Sequence, residues 1–336
     1  MVVVTGASGH VGANLVRALV ARGDRVRAVV HRDDRALAGL PVERVRADVC
    51  DAASLRAVFD GADVAYHAAA VISIDGDPGG RVHATNVTGA ENAARAALDT
   101  GVRRFVHFCS VHAFVQQPAH APLDEGRERV PAMGGGHPAY DRSKAEGERR
   151  VREAMEDGLD AVILHPTGII GPEDHGPSRM GRFFLALHDR TLPSLVGGGF
   201  DWVDVRDVVS SALVAADRGV SGQSYLLAGR WASMRELSAL SAEVAGVVPP
   251  RLSAPRWVAR AGAPFVGAWS RLTGSDPLYT GESIRALGAA RRVVDEAARG
   301  DLGHAPRPLE ESVRDVYAWF RETGRLGTIG SGSALP

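Results

Sequence analysis

The stretch that decides the fold follows the valine run Val2–Val4 and reads Thr5-Gly6-Ala7-Ser8-Gly9-His10-Val11-Gly12. Its three glycines permit a tight turn, a close approach of the backbone to a pyrophosphate, and close packing of a helix on a strand. A helix that begins here offers free N–H groups and a positive dipole end to an anion. A strand precedes the loop and a helix follows it, which is the context that a dinucleotide-binding loop requires. The stretch therefore predicts a bound dinucleotide.

The residues around this loop alternate between short valine-rich runs and longer segments with helical spacing. The predicted strands are apolar on both faces, as in a parallel sheet covered by helices, and span 2–5, 26–31, 43–47, 64–68, 105–110 and 161–165. The predicted helices span 11–22, 52–59, 85–101 and 140–156, with Gly23 and Gly101 as C-caps. Repeated β-α-β units predict an α/β fold, a doubly wound parallel sheet of the Rossmann type.

The pattern changes after Gly171, where turn-rich and proline-rich stretches separate short helices. We therefore predict a dinucleotide-binding domain over residues 1–170 and a smaller, mainly helical substrate region over 171–336. Residues 201–228 are expected to return to the first domain, with a helix over 204–217. A terminal amphipathic helix is predicted over 309–321, followed by a frayed end from Gly327, and the Trp257–Trp269 segment is predicted to be a lid or a packed helix.

Length and composition exclude several classes of protein. The chain has 336 residues, of which 45% are hydrophobic and 24% charged, and this composition is globular. Basic and acidic residues number 39 and 40, which gives no electrostatic case for nucleic acid. No uncharged stretch approaches the roughly 20 residues of a membrane-spanning helix, and the sequence begins without a secretory signal. With two cysteines and no metal-ligand spacing, we expect a soluble cytoplasmic protein without a metal.

Lys144 is the only lysine among the 39 basic residues. Tyr140 precedes it by four positions, so both lie on one face of the predicted helix. A nearby ammonium lowers the pKa of a tyrosine from its ordinary value of about 10, which suits acid–base chemistry. A compact ammonium also binds ribose hydroxyls, which a planar guanidinium does poorly. We predict that Tyr140 is a general acid/base and that Lys144 is its partner and a ribose ligand.

These features resemble the short-chain dehydrogenase/reductase superfamily in its extended branch, over almost the whole chain. The glycine loop has that family's form TGxxGxxG, and Tyr140-Asp-Arg-Ser-Lys144 matches its YxxxK motif. The resemblance implies a nicotinamide cofactor and further matches: an adenine-contacting pair at Asp48-Val49, a fourth-strand motif at His67-Ala68-Ala69, a central-helix asparagine at Asn86, a catalytic serine at Ser110, and a nicotinamide loop at His165-Pro166-Thr167-Gly168-Ile169.

The sequence departs at two places from the motifs of nucleotide-sugar enzymes in this branch. Sugar-nucleotide 4,6-dehydratases of the branch carry an acid pair directly after the catalytic residue, whereas this chain has Val111-His112. His112 is either a substrate contact or a loop histidine with no role. Nucleotide-sugar enzymes often show Arg-Pro-x-Asn where this chain has His165-Pro166-Thr167-Gly168, so the asparagine is missing. The motif at residues 165–168 looks more like that of the dihydroflavonol reductase and 3β-hydroxysteroid dehydrogenase side of the branch, whose substrates are apolar alcohols and ketones.

The resemblance predicts an oxidoreductase that moves a hydride between the nicotinamide and a secondary alcohol or ketone of a mostly apolar small molecule. Ser110 is expected to orient the substrate oxygen while Tyr140 transfers the proton. The alternatives are a nucleotide-sugar epimerase that uses the same residues and a cofactor-sensing regulatory protein, which typically lacks the Tyr/Lys pair. The candidate pocket residues are His112, Phe114, Met180, Phe183, Phe184, His188 and Trp202.

The second predicted strand ends in His31-Arg32, with no carboxylate at its tip. An acidic residue there would hold the ribose 2′-hydroxyl of NAD. Arg32 can instead pair with a 2′-phosphate, and His31 can add a donor. Asp33 and Asp34 follow at once, and either could fold back onto the ribose or repel a phosphate. We predict NADP as the cofactor, with NAD as the alternative.

The family resemblance also implies a homodimer that pairs through the helices at 85–101 and 140–156. The first of these helices is rich in alanine, which permits close approach of a second helix. Alanine suits a helix buried within one chain equally well, so the sequence leaves both arrangements open.

Overall fold

The computed structural model describes residues 1–134, 136–262 and 280–326 of the protein. The expected frayed end from Gly327 and half of the Trp257–Trp269 segment lie outside these ranges. Within them, no helix combines the length and the apolar character needed to cross a membrane.

A seven-stranded sheet forms the centre of the protein. Its strands are β1 (Val2–Thr5), β2 (Val26–Val30), β3 (Glu43–Arg46), β4 (Val64–His67), β5 (Arg104–Phe108), β6 (Ala161–Pro166) and β10 (Ser224–Leu227). They lie in the order β3-β2-β1-β4-β5-β6-β10, and all neighbouring pairs are parallel. The order reverses at β1 and β4, so the crevice that binds ligands in such sheets opens beside their carboxyl ends. The predicted doubly wound parallel sheet is confirmed.

Helices cover both faces of this sheet. They are α1 (His10–Arg22), α2 (Ala52–Phe59), α3 (Gly89–Asp99), α4 (Ala139–Glu156) and α6 (Val205–Arg218). One apolar core lies between the sheet and α1 and α6, and a second lies between the sheet and α2, α3 and α4. Gly23 ends α1 as expected, since its φ of 88° lets its N–H reach the carbonyls of Leu19 and Val20. A short helix (Arg81–His83) and a π-helical turn (Ala84–Thr88) run into α3, so the helical segment begins before residue 85.

The substrate region contains small sheets in addition to the expected helices. Its helices are α5 (Arg179–His188), α7 (Met234–Ala245), α8 (Gly281–Ala286) and α9 (Leu309–Glu322). One sheet joins β7 (Gly168–Ile170), β9 (Gly199–Asp204) and β11 (Arg230–Ser233), and the other pairs β8 (Leu195–Val196) with β12 (Ser253–Ala254). Residues 201–204 belong to β9, of which Val203 packs into the core between the main sheet and α6. The return of residues 201–228 to the first domain stays a prediction. The π-helical turn Ala298–Leu302 packs into the same core as α6.

The alanines of α3 face the core of their own chain. The more exposed sides of α3 and α4 carry ion pairs within the chain, between Arg95 and Asp157 and between Arg150 and Glu91. The alanine content therefore gives no argument for a dimer interface, and the homodimer stays a prediction.

Candidate active site

The glycine loop connects β1 to α1 by a turn that side chains would obstruct. Gly6 has a φ of 67°, and a Cβ on it would lie 2.6 Å from the Ala69 nitrogen. A Cβ on Gly12 would lie 2.1 Å from the Gly6 carbonyl oxygen. No side chain caps the start of α1 at His10, so its first N–H groups are left for an anion. This backbone fits the pyrophosphate of a dinucleotide.

A cavity of about 800 Å³ opens beside the loop, at the carboxyl edge of the main sheet. Its volume lies within the roughly 300–1,000 Å³ of small-molecule sites. The catalytic candidates Ser110, Tyr140 and Lys144 line it. The predicted cofactor residues in its wall are Gly9, His10, Val11, Gly12, Ala68, Pro166, Thr167, Gly168 and Ile169. The structure thus brings the loop, the catalytic candidates and the nicotinamide loop to one space.

Other predicted cofactor residues lie beyond the wall of this cavity. Gly6 and Ser8 belong to the turn itself, and the Ala69 backbone packs against Gly6. His31, Arg32 and Asp48 are exposed beyond the carboxyl ends of β2 and β3, where His31 Nε2 lies 3.6 Å from Asp48 Oδ2.

Four predicted cofactor residues do not reach the cavity, because their side chains have partners elsewhere. Val49 packs against α3 at Gly89. The ring of His67 is buried and hydrogen-bonded to the hydroxyl of a β1 threonine. Asn86 is hydrogen-bonded to the backbone that follows β4, and His165 is buried with its Nδ1 3.1 Å from the Ser110 carbonyl oxygen. These four side chains therefore lie outside the cavity wall.

Ser110 and Tyr140 bring two hydroxyl groups together in the cavity wall. Ser110 lies two residues beyond the end of β5, although the sequence predicted a strand through residue 110. Its hydroxyl accepts a hydrogen bond from the His112 amide at 3.2 Å. Burial raises the pKa of Tyr140, and the nearby Ser110 hydroxyl opposes this shift. A protonated phenol beside a second hydroxyl can hold one substrate oxygen and donate a proton to it.

Lys144 reaches the cavity without contacting Tyr140. Its ammonium is buried and donates to the Phe108 carbonyl oxygen at 2.8 Å, at the end of β5. Burial lowers the pKa of Lys144. Lys144 is not among the groups that shift the pKa of Tyr140, so the predicted effect of the ammonium on the phenol is absent from this structure. The effect is absent because the Lys144 side chain is directed toward the end of β5. The ammonium still lines the cavity, where ribose hydroxyls can meet it.

One cluster of potential metal ligands occurs within the described residues, formed by the buried side chains of Cys109, Glu148 and His165. Glu148 already forms ion pairs with Arg129 at 3.0 Å and Arg152 at 2.8 Å. Burial opposes ionisation of Glu148, but His165 and the two arginines hold its pKa at about 2. Because two guanidinium groups balance the carboxylate, the cluster does not favour a cation.

The cavity wall beyond the Ser110 and Tyr140 hydroxyls contains an apolar part. Its apolar lining residues are Phe114, Met180, Phe183, Phe200, Trp202 and Ala289, and polar residues that include Gln116, Gln117, Arg179 and Arg285 also line the cavity. Two predicted pocket residues lie elsewhere. Phe184 packs on Tyr317 of α9, with ring centroids 5.6 Å apart, and His188 is paired with its neighbour Asp189. Both are on α5, whose residues Met180 and Phe183 do line the cavity.

Asp141 has no predicted role, and the structure pairs it with His112. The imidazole Nδ1 lies 3.0 Å from the carboxylate Oδ1, and both residues line the cavity. The imidazole stacks on Phe200 and meets the Tyr140 ring edge-on, with both pairs of centroids 5.5 Å apart. The one signal in the sequence is the position of Asp141 next to Tyr140. His112, whose role the sequence left open, therefore lies beside Tyr140.

The chain is similar to known proteins in sequence and in structure. Residues 2–228 match the model of the NAD dependent epimerase/dehydratase family. The chain belongs to this family. Sterol demethylase protein B of Methylococcus capsulatus is 36% identical, over 96% of this chain and 99% of that protein. The 3 beta-hydroxysteroid dehydrogenase/Delta 5-->4-isomerase of Mycobacterium tuberculosis is 30% identical, over 91% and 86%. The crystal structure of gox2253 superimposes with a TM-score of 0.82 at 30% identity, over 97% and 99%.

These relatives confirm the resemblance to extended short-chain dehydrogenases, including their steroid dehydrogenase side. The protein is therefore an NAD(P)-dependent enzyme with a Rossmann fold. The names of the relatives as enzymes argue against the alternative of a non-catalytic regulatory protein.

Proposed function

We propose that the protein reduces a ketone, or oxidises the matching secondary alcohol, on a mostly apolar small molecule. The paired hydroxyls of Ser110 and Tyr140, set against a wall of aromatic and aliphatic side chains, carry this proposal. A bound nicotinamide supplies or accepts the hydride. Ser110 orients the substrate oxygen, and Tyr140 donates a proton to it or removes one. The names of the relatives, which refer to a sterol and a steroid, support an apolar polycyclic substrate.

A nucleotide-sugar epimerase is the second candidate, and the cavity wall argues against it. Met180, Phe183 and Trp202 make part of the wall apolar, and these side chains offer no hydrogen-bond partners to a sugar, although Gln116 and Arg285 also line the cavity. Steady-state absorbance of the reduced cofactor should be followed with polycyclic ketones and, separately, with UDP-glucose. We expect oxidation of the cofactor by the ketones. Tight binding of UDP-glucose without turnover of any ketone would contradict the proposal.

We also propose that NADP is preferred over NAD, because both aspartates beyond β2 are bound to arginines. The Arg35 side chain bonds both oxygens of Asp33, at 2.6–3.0 Å, and holds the pKa of Asp33 at about 2. Asp34 lies 3.3 Å from Arg44. Neither carboxylate folds back toward the ribose position, whereas Arg32 is exposed and forms no ion pair with a described residue. This arrangement favours a 2′-phosphate over a 2′-hydroxyl.

Replacing Arg32 with alanine is expected to weaken NADPH binding roughly 10- to 100-fold and to change NADH binding little. A hydrogen bond to a charged group contributes about 1.5–3 kcal/mol, and only NADPH carries the 2′-phosphate. Fluorescence titration of both cofactors measures the two dissociation constants. Arg25→Ala, at the opposite end of β2, is the matched control. Tighter binding of NADH by the unmodified protein would reverse the assignment.

A further inference from the structure

The His112–Asp141 pair has no part in the hydride and proton transfers described above. Asp141 is only 9% exposed at the first turn of α4, where a buried carboxylate is costly unless it is hydrogen-bonded. His112 supplies that hydrogen bond from the 3-10 turn Val111–Ala113 that follows Ser110. The pair therefore connects the end of β5 to the helix that carries Tyr140.

The carboxylate fixes the hydrogen-bonding character of the imidazole. With the proton on Nδ1 donated to Asp141, the neutral ring presents Nε2 as an acceptor. Nε2 forms no hydrogen bond with any residue of the described ranges, and the ring lines the cavity. Stacking on Phe200 and the edge contact with Tyr140 hold the ring in place. A fixed acceptor therefore lies beside the catalytic hydroxyls in a largely apolar wall.

We propose that His112 Nε2 accepts a hydrogen bond from a substrate hydroxyl located next to the reacting carbon. The inference rests on the proposed oxidoreductase function and specifies its substrate class as hydroxy-ketones, or diols in the oxidative direction. The closeness of His112 and Ser110 in the chain supports it. The His112 amide donates to Ser110 Oγ at 3.2 Å, so the imidazole and the carbonyl-binding hydroxyl project from the same turn. In the proposed arrangement the carbonyl oxygen meets Ser110, and the hydroxyl on the neighbouring carbon meets His112.

The second contact discriminates between substrates because it lies in an apolar wall. A substrate with a methyl group in place of the hydroxyl would cover Nε2 and leave it without a partner. Leaving a buried polar atom unpaired costs about 1–3 kcal/mol, which corresponds to roughly 5- to 150-fold in kcat/KM. His112 is thus a specificity-determining residue, and Asp141 is a positioning residue that acts through it.

The test uses two ketones of the same shape, 2-hydroxy-1-tetralone and 2-methyl-1-tetralone. For the unmodified enzyme with its reduced cofactor, we expect kcat/KM to be roughly 5- to 150-fold higher for the hydroxy-ketone. In His112→Phe this ratio should fall to about one or below, because phenylalanine keeps the stacking and removes the acceptor. In His112→Gln the amide oxygen replaces the acceptor and should retain most of the preference. His120→Phe, the same replacement at an exposed position outside the cavity wall, should keep the ratio.

Asp141 is tested by the same ratio. In Asp141→Ala the tautomer of His112 is no longer fixed, so the preference should fall, and in Asp141→Asn the amide oxygen still accepts from Nδ1 and should restore much of it. A purely structural role would lower kcat/KM for both ketones equally. Equal kcat/KM for the two ketones in the unmodified enzyme, or an unchanged ratio in His112→Phe, would overturn the inference while the oxidoreductase function stands. Absence of turnover with either ketone and with other ketones would contradict the function itself.

Discussion

Replacement of Tyr140 by phenylalanine is expected to lower kcat/KM for ketone reduction by roughly 10²- to 10⁴-fold. The Tyr140 phenol lines the cavity beside the Ser110 hydroxyl, and the substrate oxygen must gain a proton as the hydride arrives. Burial raises the pKa of Tyr140, which keeps the phenol protonated and able to donate near neutral pH. Phenylalanine retains the ring that packs on His112 and removes the proton.

Steady-state absorbance of the reduced cofactor measures this loss, and fluorescence titration shows whether the variant still binds the cofactor. Tyr225→Phe is the matched control, because the Tyr225 hydroxyl bonds Asp301 at 2.9 Å and does not line the cavity. We expect Tyr140→Phe to bind the cofactor with near-normal affinity and Tyr225→Phe to retain its turnover. Turnover of Tyr140→Phe within a factor of a few of the unmodified enzyme would remove Tyr140 from the proton-transfer role.

The main sheet and the phosphate loop could be predicted because they depend on local patterns. Valine-rich runs at regular intervals specify buried parallel strands, and the glycines at 6 and 12 specify a turn in which a Cβ at either position would clash with the backbone. The four-residue spacing of Tyr140 and Lys144 places both on one helix face. The direction of the Lys144 ammonium could not be predicted, since it depends on a carbonyl at the end of β5, which is distant in sequence.

The apolar cavity wall was harder to predict, because neighbouring residues of one helix line the cavity and pack in the core. Every turn of α5 carries apolar side chains, so the sequence gives no sign that Phe183 lines the cavity while Phe184 packs on α9. The strand β7 has three residues and pairs with β9, about thirty residues later, which is too short a pattern to detect. The contact between His112 and Asp141 likewise requires two elements, the turn after β5 and the start of α4, to meet in space.

Three buried histidines should make the protein sensitive to mild acid. Burial lowers the pKa of His67 to about 3 and that of His165 to about 4, and it holds the pKa of His107 well below its ordinary value, with Lys144 adding to the shift in His67 and His107. In the unfolded chain each histidine takes up a proton near pH 6.5, at about its ordinary pKa. Between about pH 6.5 and 4 the unfolded chain therefore binds more protons than the folded protein, so stability falls as the pH falls.

Lowering the pH from 7.5 to 5.0 is accordingly expected to cost roughly 2 kcal/mol of unfolding free energy for each of these histidines, or about 6 kcal/mol together. A domain is typically stable by only about 5–15 kcal/mol, so the urea midpoint should fall steeply over this interval. Glu148, with a pKa of about 2, loses its stabilising charge mainly below pH 4.5 and adds little here. His107→Phe, which keeps a ring stacked on His67, should remove about a third of the pH dependence, whereas the exposed-site control His120→Phe should leave it intact. Equal urea midpoints at the two pH values would show that these histidines are protonated in the folded protein.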